Sequence, residues 1–309
     1  MHFACYDVAD ATSNNAELQR PPRESALYVW KQLSPSVQQD LDLGIAFGMT
    51  DIGDVRPSNE DNFFIDRELG LLAIADGMGG HEAGEVASSD ALISLAHFIR
   101  ASAAREQGEP MPDFTPSPLD PAAINPFVDW TQGTSAAMTT LHHAVEFANQ
   151  RMYQINRDNR RAEGGGMGTT LTGIWQPVAD GPQFVFHVGD TRLYRFRQGR
   201  LTQLTRDQTM YQRAIDAGHQ HNLPGRNLLL QALGPSSGVR PDLQVQTTEP
   251  GDLYLLCSDG LHGACPDAQI AALLAACTDL ETTCAQLIDT AKRNRSRDNI
   301  TVVLLQCKL

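Results

Sequence analysis

The strand-like stretches of this chain arrive in blocks separated by pairs of helices, and they do not alternate one for one with single helices. Runs 44–51, 62–66 and 69–75 read as strands. An apolar stripe at Ala83, Ala87, Leu92 and Leu95 predicts a helix over 81–100, and Met138, Leu141, Val145, Phe147 and Met152 predict another over 134–160. The chain then turns to strands at 169–175, 183–188, 193–196 and 201–204, with Arg197-Gln198-Gly199-Arg200 as the hairpin turn of the last two. A helix over 207–218, strands 243–248 and 252–257, helices 266–277 and 281–293, and a closing strand 300–306 complete the series. A doubly wound parallel sheet needs a crossover between successive strands. This order predicts instead an α+β fold or a helix-flanked sandwich.

Residues 1–43 are polar and broken at Pro21-Pro22, and they read as an N-terminal extension, partly flexible, ahead of a main domain over 44–309. Six prolines crowd 108–133, which predicts a long inserted loop or lid, since proline fixes φ and removes a donor. With 41% apolar residues the chain can bury a core. Its longest apolar run, Ile270 to Cys277, falls well short of the roughly 20 residues of a membrane span. The first residues carry no secretory pattern, and the six cysteines show no C-x-x-C spacing. The expectation is of buried thiols in a reducing cytoplasm, without membrane insertion. A net charge of −13 argues against nucleic acid as a partner. An anionic substrate would need a local arginine or a bound cation.

Acids stand at the ends of five strand-like runs: Glu60-Asp61, Asp76, Asp190, Asp259 and Asp298. One aspartate there is an ordinary turn former. Five are harder to explain so, because converging carboxylates raise one another's pKa unless a cation neutralises them. Hard oxygen donors without a Cys or His cluster suit Mg²⁺ or Mn²⁺.

Seven motifs stand in order over residues 44–309. They are Thr50-Asp51-Ile52-Gly53 with Val55-Arg56 and Asn59-Glu60-Asp61; Ala75-Asp76-Gly77-Met78-Gly79-Gly80-His81; Gly168-Thr169-Thr170-Leu171; His187-Val188-Gly189-Asp190-Thr191-Arg192 with Tyr194-Arg195; Ala232-Leu233-Gly234; Leu256-Cys257-Ser258-Asp259-Gly260-Leu261; and Arg297-Asp298-Asn299-Ile300-Thr301. In these the chain resembles the bacterial metal-dependent Ser/Thr protein phosphatases of the type 2C (PPM) family. The resemblance implies two packed antiparallel β-sheets flanked by α-helices on both faces, with 44–309 as the catalytic domain.

It also implies a pair of Mn²⁺ or Mg²⁺ ions. Asp76 would bridge them, Gly77 would lend a carbonyl oxygen, Asp259 and Asp298 would complete one site, and Glu60 and Asp61 would hold the other largely through waters. Arg56 would bind the substrate phosphate, whose two oxygens suit a guanidinium fork. Hydrolysis of phosphoserine and phosphothreonine in proteins, by a water of lowered pKa, follows as the expected activity. The implied role is signal transduction, with phosphoproteins as substrates, a Ser/Thr kinase as the opposed partner, and a monomeric state. A degenerate binding or scaffolding module and a phosphatase of small phosphoesters are the alternatives.

Asp190 would hold a third, weaker ion in this family, together with an acid four residues after Asp259. Here that position is Gly263, so the third site is expected to be weak, with His262 as a substitute ligand. Some relatives have a histidine general acid where this chain has Met78, and His81 is the nearest alternative. His187, within a strand, reads as a core histidine, and the 293–297 cluster as a solvated helix end.

Overall fold

The computed structural model describes residues 31–79, 83–105, 112, 114–116 and 132–308. The first sheet runs β1 (Gln39–Asp40), β2 (Gly44–Asp51), β12 (Ile300–Cys307), β11 (Leu253–Cys257), β8 (Arg192–Arg197), β9 (Arg200–Gln203). The second runs β10 (Asp242–Gln246), β7 (Gln183–Val188), β6 (Leu171–Trp175), β4 (Leu71–Met78), β3 (Asp61–Asp66), with β5 (Gly168–Thr169) paired to the end of β4. Every pairing is antiparallel. Helices α1 (Ala83–Arg105) and α2 (Gln132–Asp158) share a core with the second sheet. Helices α4 (Asp259–His262), α5 (Asp267–Ala275) and α6 (Leu280–Arg293) share one with the first. The helix α3 (Met210–Asp216) belongs to the excursion between β9 and β10. This is the expected helix-flanked β-sandwich. Among the described residues, no helix is long and apolar enough to cross a membrane.

The near-continuous apolar runs of the central strands come from burial on both faces. Side chains alternate across a strand, so β4 sends Leu71, Ala73 and Ala75 toward the helices and Leu72 and Ile74 between the sheets. Likewise β11 gives Leu253, Leu255 and Cys257 to its helices, and Tyr254 and Leu256 to the inner layer. Large buried side chains such as Tyr254 and Phe63 contribute roughly 1.5–3 kcal/mol each.

Along the inner layer the chemistry grades from apolar to acidic. Ile65, Leu72, Val185, Leu193, Tyr254 and Val303 fill one part of it. The same inward positions, followed along their strands, reach hydroxyls. Thr50 and Thr301 pair at 2.7 Å, and Thr172 and Thr191 at 2.6 Å. Beyond them stand Asp61 and Asp76, opposite each other on the β3–β4 ladder.

Several details differ from expectation. Strand β4 does not end at Ala75 but runs to Met78, because β5 supplies ladder partners for Gly77 and Met78. The helix expected over 207–218 shortens to α3, since the Thr209 side chain accepts from Gln212 N and starts it there. The four-residue α4 was not expected. Residues 31–43 fall in the expected extension, yet Leu41 is buried, Leu33 N donates to Asn62 Oδ1 (3.0 Å) and Ile65 N donates to Ser34 Oγ (2.8 Å). Residues 1–30 and most of the 108–133 insertion lie outside the described residues. Phe114 of that insertion meets Phe98 and Phe147 edge-on, with ring centroids 5.6 and 5.8 Å away.

Candidate metal centre

Where the graded inner layer opens to solvent, a cleft of about 350 Å³ gathers Arg56, Glu60, Asp76, Asp190, Asp259 and Asp298. Gly77 and Met78 belong to its wall. Asp61 lies behind that wall, 1% exposed, with Oδ2 accepting from Thr301 Oγ1 at 2.7 Å. His81 lies outside the described residues. Met78 has no proton to give.

Local structure explains each placement. Asp76 is held by its backbone: its N–H donates to Thr170 Oγ1 (3.0 Å), and its carbonyl accepts from Thr170 N (2.9 Å) and Thr169 Oγ1 (2.8 Å). Gly77 must be glycine, because a Cβ there would stand 2.0 Å from Gly84 O and 2.6 Å from Glu60 O. That close approach brings the start of α1 against Glu60. Asp259 is the first residue of α4, set down by the end of β11.

Asn299 organises the loop that carries Arg56 and Glu60. Its Oδ1 accepts from Glu60 N (2.9 Å), and its Nδ2 donates to Ile52 O and Ser58 O (2.9 Å each). Ser258 Oγ in turn accepts from Thr301 N (3.0 Å), joining β11 to β12 beneath the cleft. An Asn299→Ala variant should lose about 2–4 kcal/mol of stability, because each buried group left unpaired costs roughly 1–3 kcal/mol. Urea denaturation measures this, and a change below about 0.5 kcal/mol would show that the loop holds itself.

The electrostatics are those of crowded, desolvated acids. Burial first, then neighbouring aspartates, raises Asp76 well above the ordinary carboxylate range. Burial also pushes Asp61 and Asp190 up to about 7 and Asp259 up to about 6. Asp259 Oδ1 is buried with no hydrogen-bond partner. An orphaned carboxylate oxygen amid hard oxygen donors of like charge fits a divalent cation. Among the described residues, no three acidic, histidine or cysteine side chains are yet drawn into a closed ligand cage. Like charges favour such spacing, and Asp298 Oδ2 is engaged by Arg56 Nη2 at 2.8 Å.

These shifts set a pH dependence. The folded, metal-free protein holds protons that the unfolded chain, with aspartates near ~3.9, gives up. The stability these groups contribute is complete below about pH 4 and is lost as pH rises through about 6–7. In the presence of chelator, the melting temperature should therefore fall between about pH 4 and 7. Saturating Mn²⁺ should raise it most at the upper end, where the ligands are deprotonated. A chelated protein with a flat profile across that interval would contradict the electrostatic picture.

His262 corrects an expectation. Its Nε2 stands 2.9 Å from the Asp190 carbonyl oxygen, which can only accept, so this nitrogen carries a proton and is not a ligand. An acid could not simply be placed at 263 either, since a Cβ there would meet Asp259 O at 2.7 Å. His187 is the satisfied core histidine expected: Nδ1 pairs with Thr172 Oγ1 (2.8 Å) and Nε2 with Arg206 O (3.0 Å). Burial lowers its pKa. The 293–297 cluster is mostly exposed at the end of α6.

Sequence reasoning left several contributors without roles. Asn299 and Thr301 fall inside a quoted motif, and the inward alternation of β12 could have placed Thr301 beside Asp61. Asn227 and Leu229 also line the cleft, and nothing in their local sequence announces it.

Comparison with known proteins agrees with this architecture. The family model described as Protein phosphatase 2C matches residues 56–304. The chain is 35% identical over 260 residues to the serine/threonine protein phosphatase PstP of Mycobacterium tuberculosis, covering 82% of this chain and 43% of that protein. It thus spans less than half the length of that relative. It is 30% identical over 268 residues to the serine/threonine phosphatase stp of Listeria innocua, covering 84% of this chain and 94% of that one. The solved catalytic domain of PstP in complex with two manganese ions superposes with a TM-score of 0.66 at 32% identity, over 85% of this chain and 98% of that domain.

Proposed function

This chain belongs to the protein phosphatase 2C family, and on that premise we propose that it hydrolyses phosphoserine and phosphothreonine in proteins with divalent cations held in the acidic cleft. The observation that carries this reading is the partnerless buried Oδ1 of Asp259 beside the desolvated carboxylates of Asp76 and Asp190, with Asp298 and Arg56 at the same cleft. Asp259 and Asp298 would hold one ion and Glu60 and Asp61 a second, with Asp76 and the Gly77 carbonyl as the donors between them. Asp190 would hold a third only weakly, since Gly263 offers no side chain and the His262 proton faces a carbonyl. Cations bound there supply Lewis acidity toward phosphoryl oxygens and a water of lowered pKa. Manganese, present in the PstP catalytic domain, is the first ion to try.

The chain's own residues do the rest. Arg56 orients the phosphate with its planar fork and offsets charge on the oxygens. Asn299 holds the Arg56 loop at the cleft, and the Thr170 and Thr169 bonds fix the Asp76 backbone. The cleft is open, as a protein-borne phosphoester requires. The opposed partner would be a Ser/Thr kinase. The test is Mn²⁺-dependent hydrolysis of p-nitrophenyl phosphate, followed by phosphopeptides set against nucleotides and sugar phosphates. No hydrolysis of any of these would leave a binding module, and a preference for the small phosphoesters would overturn the protein substrate.

A further inference from the structure

Two of the cleft carboxylates come from segments far apart in the chain. Asp259 heads α4, while Asp190 sits in the turn between β7 and β8. Both are raised by burial, and the Asp259 charge adds to the cost of ionising Asp190. Their spacing therefore needs a fixed support from outside the pair.

The turn around Asp190 is fastened at three points. Gly189 exchanges two bonds with Gln208, its N–H donating to Oε1 (2.9 Å) and its carbonyl accepting from Gln208 N (2.7 Å). Arg192 makes a two-pronged contact with Asp207, at 2.8 and 2.7 Å, and donates to Tyr194 Oη at 2.8 Å. The Tyr194 hydroxyl continues to Asp267 at the start of α5 (3.2 Å). These bonds tie the turn to the 203–208 segment and to α5. The remaining bond runs to α4 itself, from His262 Nε2 to the Asp190 carbonyl at 2.9 Å. His262 lies three residues after Asp259, one turn along the same helix.

We propose that His262 is a positioning residue that fixes the separation of Asp190 and Asp259 before a cation arrives, through its hydrogen bond to the Asp190 carbonyl. This rests on the reading of those two carboxylates as cation holders. His262 touches no ion in this role and donates no proton to substrate. It presets a spacing that two like charges would otherwise widen, so that cations arriving at either carboxylate meet the two segments already in place. Partners one shell out from a metal typically change its affinity 10–100-fold when removed.

The test compares wild type with His262→Leu, which fills the space without a donor, and His262→Gln, whose amide can donate to the same carbonyl. Calorimetric titration with Mn²⁺ is the principal readout, with melting of the chelated protein alongside. The Leu variant should bind Mn²⁺ roughly 10-fold more weakly, and the Gln variant should recover most of that loss. Melting of the chelated forms should differ by only a few degrees. Should the Leu variant fail to fold, His262→Asn, whose shorter amide falls short of the carbonyl, replaces it against Gln with the same expected order. Wild-type affinity in the Leu variant, or a Gln variant as weak as Leu or Asn, overturns the tether alone. A wild-type protein that takes up no Mn²⁺ overturns the cation reading and the tether with it.

Discussion

An Asp76→Ala enzyme should turn over phosphoester at least about 10²–10³-fold more slowly than wild type at saturating Mn²⁺. Metal-derived charge stabilisation is worth several kcal/mol, and this substitution removes a carboxylate from its centre. The fold should not suffer. Hydrogen bonds that position Asp76 run to its backbone, and alanine keeps them. Its side chain is instead a source of stress, buried beside Asp61 with Asp259, Asp190 and Asp298 adding repulsion. The chelated variant should therefore melt at the same temperature as wild type or slightly above it, with the gap widening toward pH 8. Asp259→Ala should behave alike, since it removes an oxygen that has no partner in the fold. Rate assays with chelator and Mn²⁺ arms, paired with calorimetric melting, measure both halves. Wild-type turnover in either variant would falsify the metal assignment, and a collapse of melting temperature would make these carboxylates structural.

The second large effect is at Arg56. Truncation to alanine should raise KM about 10- to 150-fold, the equivalent of a charge-assisted contact of roughly 1.5–3 kcal/mol. The structure adds a condition to this. Arg56 Nη2 is 2.8 Å from Asp298 Oδ2, with both side chains partly exposed, so the arginine competes with any cation for that carboxylate. The variant should thus bind Mn²⁺ as tightly as wild type or tighter while losing substrate affinity. Steady-state kinetics with a phosphopeptide and titration with Mn²⁺ separate the two. Weakened Mn²⁺ binding with KM unchanged would recast Arg56 as a support for Asp298.

Much of this was legible because the chemistry sits on strands. The runs before Asp190 and Asp259 and after Asp298 are apolar but for single polar residues such as His187 and Thr301, the near-continuous pattern of strands buried on both faces. What escaped was non-local. The end of β4 depended on β5, some ninety residues later, for its ladder partners. The role of Asn299 depended on three backbone groups of a loop about 240 residues earlier in the chain, and nothing in its own neighbours specifies them. His262 looked like a ligand by proximity to Gly263, and only the approach of the Asp190 carbonyl assigns its proton. The cleft contribution of Asn227 and Leu229 comes from the excursion between β9 and β10, where local periodicity is weak.

The rung shared by Asp61 and Asp76 makes strand length itself a functional quantity. Asp61 keeps the facing of Phe63 and Ile65, and Asp76 that of Leu72 and Ile74, all toward the space between the sheets. Side-chain direction has a period of two, so one residue inserted within β3 or β4 would reverse every position beyond it. Asn62, whose amide now reaches Ser89 on α1, would trade places with Asp61. A carboxylate would face the helix layer, and an amide would face the cleft. Many substitutions in these strands would weaken the protein, but a change of phase would leave its composition intact and dismantle the site. Connections between strands can therefore vary in length, whereas the strands carry the chemistry in their residue count as much as in their residues.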